Sequence, residues 1–283
     1  MPELPELQAL AEGLDAAISD RAVDAVAVHH PAALKTVEPP LDALVGRRLT
    51  SVWRRGKLIG VEAEGDLTLV IHLMQSGRLG LVADGAGRPG RQAALDLVLE
   101  GGERLRLREL STKRRASAHL LDPAGLAEHR PLTRLGPEPL GLGPDGWAAA
   151  LAGGGLLHSA LRDGGRVAGI GRAYADDIMW AARLAPFARA DRLSEEEVAR
   201  LAAAADAVLG QALERARERI TTELPTKSDR LTVVHGHHGE PCLRCGTALE
   251  RVSFAEYELV YCPVCQTGGR RYRDRRRSKF LDY

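Results

Sequence analysis

The start of the chain could place a nucleophile beside an acid. Met1 is followed by Pro2, and a small second residue permits removal of the initiator methionine, which would leave Pro2 with a free secondary amine. α-Amino groups have pKa values of about 7.7–8.0, so part of the population is nucleophilic near neutral pH. Attack on a sugar C1′ would form an iminium, and Glu3 could protonate the ring oxygen. The same residues also suit a simple helix start, because proline and an acid both favour the first turn.

Four cysteines near the C-terminus have the spacing of a metal site. They follow the pattern Cys242-x2-Cys245-x16-Cys262-x2-Cys265, and the chain has no other cysteine. Two such pairs can bring four thiolates to one tetrahedral Zn²⁺. Two disulfides or two redox pairs are the alternatives, and disulfides are disfavoured because the large remainder of the chain has no cysteine and no secretion signal. We predict one structural zinc ion, because four protein ligands leave no position open for chemistry.

The composition is that of a folded protein with an uneven charge distribution. The 283 residues are 45% hydrophobic and 27% charged, with a net charge of +1, and only 4% are aromatic. No run reaches the ~18 apolar residues of a membrane span. Residues 266–283 hold seven basic and two acidic side chains, which leaves the rest of the chain mildly acidic. A basic tail of this kind either binds a polyanion or is simply solvated.

The hydrophobic pattern predicts the elements that must position these residues. Leu7, Leu10, Leu14 and Ile18 recur at helical spacing, so we expect a helix over 2–18. Ser194 and Glu197 have the spacing of a capping box for a later helix. Alternating segments predict an antiparallel sandwich or barrel, with strands within 22–30, 48–55, 57–64, 67–82, 94–109 and 114–121. Further helices are predicted over 156–162, 172–184 and 194–219, after a linker near 131–147, and a hairpin is predicted between the cysteine pairs.

Six segments resemble one known family when they are taken together. They are PELPE, RRGKLIGVE, IHLMQSGRL, LGPEPL, RVAGIGRAYADDIMWAARLAPF and PCLRCG…YCPVCQ, in this order. The combination is similar to the formamidopyrimidine-DNA glycosylase/endonuclease VIII family of base-excision repair enzymes, over about residues 2–266. The resemblance implies an α+β multidomain fold, with an N-terminal antiparallel β-sandwich and flanking helices, a C-terminal helix-two-turns-helix domain and a four-cysteine zinc-finger β-hairpin. The expected boundaries are 1–131, 132–235, 236–267 and, for the basic tail, 268–283.

The resemblance also implies roles for individual residues. Pro2 matches the Schiff-base nucleophile, Glu3 the acid at the sugar ring oxygen, and Glu6 a further acidic position of the same helix. Lys57 matches the lysine that binds the phosphate beside the lesion, although from its type alone it is one of many exposed lysines. The GIGRAYADD segment fits a turn and helix N-terminus that face a phosphate, and it also suits a structural turn. The expected DNA-binding residues are His72, Met74, Gln75, Gln92, Lys113, Arg115, His158, Arg172 and Tyr257.

Several of these positions depart from the family pattern. Arg172 replaces the asparagine of GIGN, and Gln75 stands at the intercalating position with Met74 beside it. The run Lys113-Arg114-Arg115 lacks the aromatic of the family's wedge, so long cations with apolar stems must replace it. Gln92 and His158 stand where histidine and lysine are usual. The arginine expected in the finger falls on Tyr257, and Arg251 is nearby but out of register.

The segment 220–240 and the tail are further departures. The loop that closes over a flipped base in relatives that act on oxidised guanine is shorter here, which disfavours 8-oxoguanine and favours oxidised pyrimidines, hydantoins or ring-opened purines. The basic tail could extend along the DNA backbone in place of the finger arginine. Deleting residues 270–283 should then flatten the salt dependence of DNA affinity.

The expected function is that of a bifunctional DNA glycosylase/AP lyase, with a Pro2 Schiff base followed by β- or β,δ-elimination. The alternative is a non-catalytic or weakly catalytic damaged-DNA-binding protein derived from this family. A zinc-ribbon protein that acts on RNA or proteins would explain the finger and nothing at the N-terminus. The expected partner is damaged duplex DNA, with no membrane association. We expect a monomer in the cytoplasm of a bacterium, associated with the nucleoid.

Overall fold

The structure is a computed structural model that describes residues 1–83, 89–225, 230–254 and 257–272. The chain forms two compact units, one of Met1–Arg134 with Ala212–Asp229 and the other of Leu135–Gln211 with Arg230–Tyr283. The helices are α1 (Leu4–Ile18), α2 (Pro123–Glu128), α3 (Arg130–Thr133), α4 (Gly143–Leu151), α5 (Leu157–Arg162), α6 (Arg172–Ala181), α7 (Glu195–Arg219) and α8 (Pro263–Thr267). The strands are β1 (Val23–Val28), β2 (Leu49–Arg55), β3 (Leu58–Ala63), β4 (Leu67–His72), β5 (Gly77–Val82), β6 (Ala93–Leu99), β7 (Arg104–Glu109), β8 (Ser117–Leu121), β9 (Glu250–Ser253) and β10 (Glu258–Tyr261).

The first unit contains two four-stranded antiparallel sheets. Their strand orders are β1-β6-β7-β5 and β2-β3-β4-β8. Apolar side chains such as Ile59, Leu69 and Leu97 are fully buried, and burying each contributes about 1.5–3 kcal/mol. Within the first of these sheets Asp96 is also buried, and Arg106 donates two hydrogen bonds of 2.7 Å to its carboxylate. The predicted N-terminal β-sandwich is thereby confirmed, and each predicted strand segment contains a strand or a pair of strands.

Helix α1 begins two residues later than the predicted span and ends at the predicted residue. Leu4, Leu7, Leu14 and Ile18 are almost completely buried, as their helical spacing requires. Two polar contacts fix the helix against β2. The backbone N–H of Val52 donates to Asp15, and the guanidinium of Arg54 donates to the side-chain oxygen of Gln8.

The second unit contains α4, α5, α6 and the first part of α7. Ser194 and Glu197 form the predicted capping box, with reciprocal hydrogen bonds of 2.9 and 3.2 Å before α7. Helix α6 ends at Ala181, three residues before the predicted end, because Arg183 adopts a left-handed φ of 56°. The predicted linker near 131–147 already contains the first turn of α4. Among the described residues, no helix is both long and apolar enough to span a membrane.

The C-terminal end of the second unit is a small hairpin module. Strands β9 and β10 pair antiparallel between the two cysteine pairs, as predicted. Helix α8 follows; the third cysteine, Cys262, is its N-cap, and the fourth, Cys265, lies within it. Leu249 and Val260 pack with Cys242 and Cys262 into a separate small core. A core this small needs an additional constraint, which the metal site described below provides.

Candidate functional site

The beginning of α1 holds the predicted nucleophile and acid. Pro2 is buried, whereas Met1 is 43% exposed. Glu3 is the N-cap of α1, and its backbone N–H donates to the Glu6 carboxylate at 2.8 Å in a reciprocal capping box. The Glu3 side chain is only 3% exposed. The capping box therefore holds both carboxylates next to Pro2, at the positive end of the helix dipole.

Lys57 lies at the same end of the first unit as the start of α1. Along the helix the contacts to β2 run from Asp15 back to Gln8, and along the strand they run forward from Val52 to Arg54. Helix and strand are thus antiparallel, so the turn that follows β2 lies near the beginning of the helix. Lys57 occupies this turn after Gly56, whose φ is 58°. A cation near the beginning of α1, where the predicted nucleophile lies, suits a phosphodiester substrate.

His72 joins this group through the sheet register. It pairs with Leu58, the residue that follows Lys57. Burial lowers the pKa of His72, and the positive charge of Lys57 lowers it further. A neutral imidazole can donate or accept a hydrogen bond without adding charge near the lysine.

The β4–β5 loop carries the next two predicted residues. Met74 adopts a left-handed φ of 52°, which is rare for a long side chain, and Gln75 at the loop tip is exposed. The loop is closed by a hydrogen bond of 2.8 Å from the Gly77 N–H to the Leu73 carbonyl. A Cβ atom on Gly77 would lie 2.4 Å from that carbonyl oxygen, so only glycine permits this closure.

A buried carboxylate that the sequence did not single out holds the neighbouring loop. Glu109, at the end of β7, is 8% exposed and accepts hydrogen bonds from the backbone N–H groups of Ser111, Arg115 and Ala116 at 2.9–3.1 Å. The side chains of Lys113 and Arg115 are exposed on this loop. The Glu109 N–H itself donates to the carbonyl of Gln92, whose side chain is exposed. Glu109 therefore positions three predicted DNA-binding residues.

The second unit brings His158, Arg172 and Tyr257 together. Arg172 is the first residue of α6, and its guanidinium carbon lies 5.4 Å from the centroid of the Tyr257 ring. The His158 ring stacks on the same tyrosine, with 5.6 Å between the ring centroids. His158 is only 3% exposed, so it supports Tyr257 and shows little surface of its own. These three residues come from α5, α6 and the hairpin.

Two adjacent carboxylates of α6 form hydrogen bonds with the segment that precedes the hairpin and with the hairpin itself. Asp176 accepts hydrogen bonds from His235 Nδ1 at 2.7 Å and from the Val260 N–H at 3.2 Å. Its other oxygen lies 3.4 Å from Nε2 of His158. Asp177 accepts three backbone N–H groups of residues 233–235. Burial raises the pKa of Asp177, and these three donors oppose the rise.

The four cysteines converge on one point. Their sulfur atoms all lie within 4.8 Å of one another, with 3.9 Å between Cys242 and Cys265 and 3.5 Å between Cys245 and Cys262. A tetrahedral Zn²⁺ with Zn–S bonds of ~2.3 Å requires S···S distances of about 3.8 Å, whereas a disulfide requires about 2.05 Å. The set therefore fits one structural zinc ion, and it does not fit the disulfide alternative.

The zinc site is connected to α6 by an aromatic donor. The indole N–H of Trp180 donates to Sγ of Cys242 at 3.3 Å. The guanidinium of Arg244 lies over the same indole, 3.8 Å from its centroid, and donates to the Trp180 carbonyl. Donors to a zinc-bound thiolate orient the ligand. The roles of Trp180 and Glu109 could not be found from the sequence, because Trp180 contacts a residue that is distant in sequence and the contacts of Glu109 depend on how the following loop folds back.

The comparisons with known proteins agree over most of the chain. Residues 1–116 match the model of the formamidopyrimidine-DNA glycosylase N-terminal domain. Residues 148–224 match the formamidopyrimidine-DNA glycosylase H2TH domain. Residues 239–268 match the zinc finger found in FPG and IleRS.

Full-length relatives and solved structures are also similar. The chain is 34% identical to a formamidopyrimidine-DNA glycosylase of Geobacter sulfurreducens, over 94% of this chain and 100% of that protein. It is 35% identical to one of Thermomicrobium roseum, over 94% and 99%. A crystal structure of a mutant Lactococcus lactis FPG with a Fapy-dG-containing DNA aligns with a TM-score of 0.84 at 23% identity, over 94% of this chain and 100% of that chain. The same protein with an abasic-site DNA aligns with a TM-score of 0.83 at 23% identity, over 94% and 99%.

Proposed function

The chain belongs to the formamidopyrimidine-DNA glycosylase family, and from this premise we propose that it is a bifunctional DNA glycosylase and abasic-site lyase. The observation that carries the proposal is the beginning of α1, where Pro2 adjoins the buried, reciprocally capped Glu3. Its partner is damaged duplex DNA, on which it acts as a monomer. A damaged base must leave the stack before its glycosidic bond can be reached, at a cost of a few kcal/mol.

The first chemical step joins the enzyme to the sugar. Removal of Met1 exposes the Pro2 nitrogen, whose electron pair forms a bond to C1′ while the C1′–base bond breaks; the base leaves with the electron pair of the broken bond and takes up the proton that the Pro2 nitrogen loses. Glu3 gives a proton to O4′ as the C1′–O4′ bond opens, and the nitrogen then forms an iminium with C1′. Its position as N-cap keeps the Glu3 carboxyl group beside the nucleophile.

The second step cleaves the strand. The iminium makes the C2′ proton acidic, and its loss drives elimination of the phosphate at C3′. Water then hydrolyses the iminium and regenerates Pro2. Lys57, with the neutral His72 beside it, binds the phosphate next to the lesion and stabilises the departing oxygen. A further δ-elimination at C5′ would follow the same chemistry.

The remaining predicted residues bind DNA. Gln75 and Met74 on one loop, and Lys113 and Arg115 on the next, fill the space left by the flipped nucleotide. Arg172 and Tyr257 contact the backbone, and the buried His158 supports the Tyr257 ring. The zinc finger is structural and takes part in no chemical step.

The proposed substrates are ring-opened purines and oxidised pyrimidines, with 8-oxoguanine a poorer one. Lactococcus lactis structures of the same fold are described as complexes with Fapy-dG and with an oxidised pyrimidine. The shortened segment 220–240 lies partly outside the described residues, which exclude 226–229. A base-release panel of defined lesions in duplex DNA tests this choice.

Borohydride trapping tests the proposed mechanism. We expect the protein to form a covalent adduct with an abasic-site duplex when borohydride reduces the iminium. A variant with a short Gly-Ser extension before Met1 keeps every side chain but blocks the amine, and it should bind a tetrahydrofuran abasic analogue without being trapped. Equal trapping of both proteins would refute the role of Pro2.

A second candidate is a damaged-DNA-binding protein without efficient chemistry. It is favoured by the wedge run Lys113-Arg114-Arg115, which lacks an aromatic side chain, and by Tyr257 in the finger. In that case the wild-type protein would bind the abasic analogue and give no trapped adduct, so the same experiment separates the two candidates.

A further inference from the structure

The ring of Tyr257 is the centre of a cationic and aromatic cluster in the second unit. The guanidinium carbon of Arg162, at the end of α5, lies 4.1 Å from the ring centroid, and that of Arg172 lies 5.4 Å from it. Phe254 stacks on the same ring with 4.4 Å between centroids, and His158 stacks at 5.6 Å. The hairpin closes here, because the Phe254 N–H donates to the Tyr257 carbonyl at 2.8 Å. The cluster holds Tyr257 in a defined place.

The two arginines at this ring have no acidic partner within the part of the chain that the structure describes. The acid next to Arg162 is already engaged, because Asp163 pairs with Arg166 at 3.5 Å. By contrast, Arg189 pairs with Asp191 at 3.1 Å in the same unit. Among the described residues, the two guanidinium groups therefore share one ring without an acidic partner.

Two cations on one ring favour the binding of an anion beside them. Each guanidinium is attracted to the face of the ring, but the two like charges repel each other. A phosphate between or beside them would remove this repulsion and could accept paired N–H donors from a planar guanidinium. The buried His158 and the half-buried Phe254 keep the ring, and with it the cations, from moving away.

The hairpin itself offers no equivalent cation among the described residues nearest the ring. Tyr257 stands where the family carries the finger arginine. Arg251 does not supply this charge, because it pairs with Glu258 across the hairpin at 3.1 Å. The charge that is missing from the hairpin is present on α5, whose last residue is Arg162.

We propose that Arg162 is a DNA-phosphate ligand that replaces the missing finger arginine. The Tyr257 ring is the platform that directs both Arg162 and Arg172 towards one phosphodiester. This inference rests on the proposed function, because it assumes that this face of the second unit binds the DNA backbone. It assigns a binding role to a residue that no motif indicates. The ligand is a phosphodiester of the duplex, so the contact adds affinity for every sequence and lesion.

The salt dependence of binding is the decisive measurement. Full-length, zinc-loaded proteins are titrated with a duplex that contains a tetrahydrofuran abasic analogue, at several salt concentrations. Arg162→Leu should reduce the slope of log Kd against log salt by about 0.9, the value for one lost phosphate contact, and weaken binding about tenfold near 0.1 M salt. Arg162→Lys should keep most of the slope and lose affinity about threefold, because a lysine cannot donate two parallel hydrogen bonds.

Matched variants distinguish a direct phosphate contact by Arg162 from a role in supporting the hairpin. Arg192→Leu removes an equal charge from an exposed position of the same unit and should leave the slope unchanged. Tyr257→Leu removes the platform and should reproduce the loss seen for Arg162→Leu. The double variant Arg162→Leu/Tyr257→Leu should lose no more than either single variant.

An unchanged slope in Arg162→Leu, with normal zinc content and thermal unfolding, would show that Arg162 only supports the hairpin, and would overturn the inference. An equal loss of slope in Arg192→Leu would also overturn the inference, because the loss would then follow from the change in net charge and not from the position of Arg162. If the wild-type protein fails to bind the abasic duplex or to be trapped by borohydride, the proposed function fails. Normal binding and trapping with an unchanged slope refutes only the role of Arg162.

Discussion

At the scale of single residues, the proposed chemistry depends on groups that close neighbours hold in place. Glu3 and Glu6 hold each other through the capping box at the start of α1. Lys57 and His72 adjoin through the pairing of β3 with β4, and only one of them is expected to be charged near neutral pH. This pair keeps a single positive charge beside the predicted nucleophile.

The charge of Lys57 should be measurable at His72. Because Lys57 contributes to the low pKa of His72, Lys57→Met should raise that pKa. Burial is the larger cause, so the pKa should stay below the ordinary value of 6.5. An NMR titration of the imidazole Cε1–Hε1 signals measures this.

The matched control is Lys35→Met. Lys35 acts on His119, so this variant should raise the pKa of His119 and leave His72 unchanged. A His72 titration that is the same in Lys57→Met and the wild-type protein would contradict the electrostatic pairing.

At the scale of elements, the loops and the hairpin are held by buried groups from neighbouring elements. Glu109 at the end of β7 accepts three N–H groups of the loop that carries Lys113 and Arg115. On α6, Asp177 does the same for residues 233–235. Each carboxylate pays a desolvation cost that the three hydrogen bonds offset, and each would leave several buried donors unpaired if it were removed.

The link between α6 and the zinc site should control metal retention. Trp180→Phe removes the donor to Cys242 and keeps most of the ring, so it should accelerate zinc loss to a chelator about tenfold. Trp147→Phe makes the same chemical change on α4, where the indole N–H has no partner among the described residues. Zinc release from that control should equal that of the wild-type protein. A Trp180→Phe protein that keeps zinc as tightly as the control would show that the N–H···S contact is incidental.

At the scale of the whole molecule, stability should depend on pH through the buried histidines of the first unit. Burial lowers the pKa of His119 to about 4, with further contributions from His129, Lys35 and His72. The folded protein therefore holds this ring neutral at pH values where the unfolded chain, with a pKa of about 6.5, takes up a proton. The free energy of unfolding must fall as the pH falls from about 6.5 towards 4.

Replacing His119 should reduce this acid sensitivity. In His119→Gln the fall in unfolding free energy between pH 6.5 and 5 should be smaller by about 1 kcal/mol, a figure that allows for solvent screening of a half-buried ring. Urea unfolding at each pH provides the measurement. His238→Gln, at an exposed position, serves as the control and should keep the wild-type pH dependence. Parallel curves for the wild-type protein and His119→Gln would exclude His119 as the source.

The features that depend on neighbours in sequence could be predicted from the sequence. Two CxxC pairs predict a zinc site, Ser194 and Glu197 predict a helix start, and alternation of apolar residues predicts strands, because each pattern reflects spacing along one segment. The basic tail beyond residue 272 lies outside the described residues, so its role remains a prediction.

Only the tertiary structure decided which distant residues meet. Arg162 and Tyr257 are far apart in sequence, and neither residue type indicates the other. In the sequence, Glu109 is one more charged residue of an alternating strand. In the structure, the loop after it folds back and places three N–H groups around its carboxylate. Such contacts depend on how strands and helices pack, and the free energy of packing is a property of the whole unit that no local pattern contains.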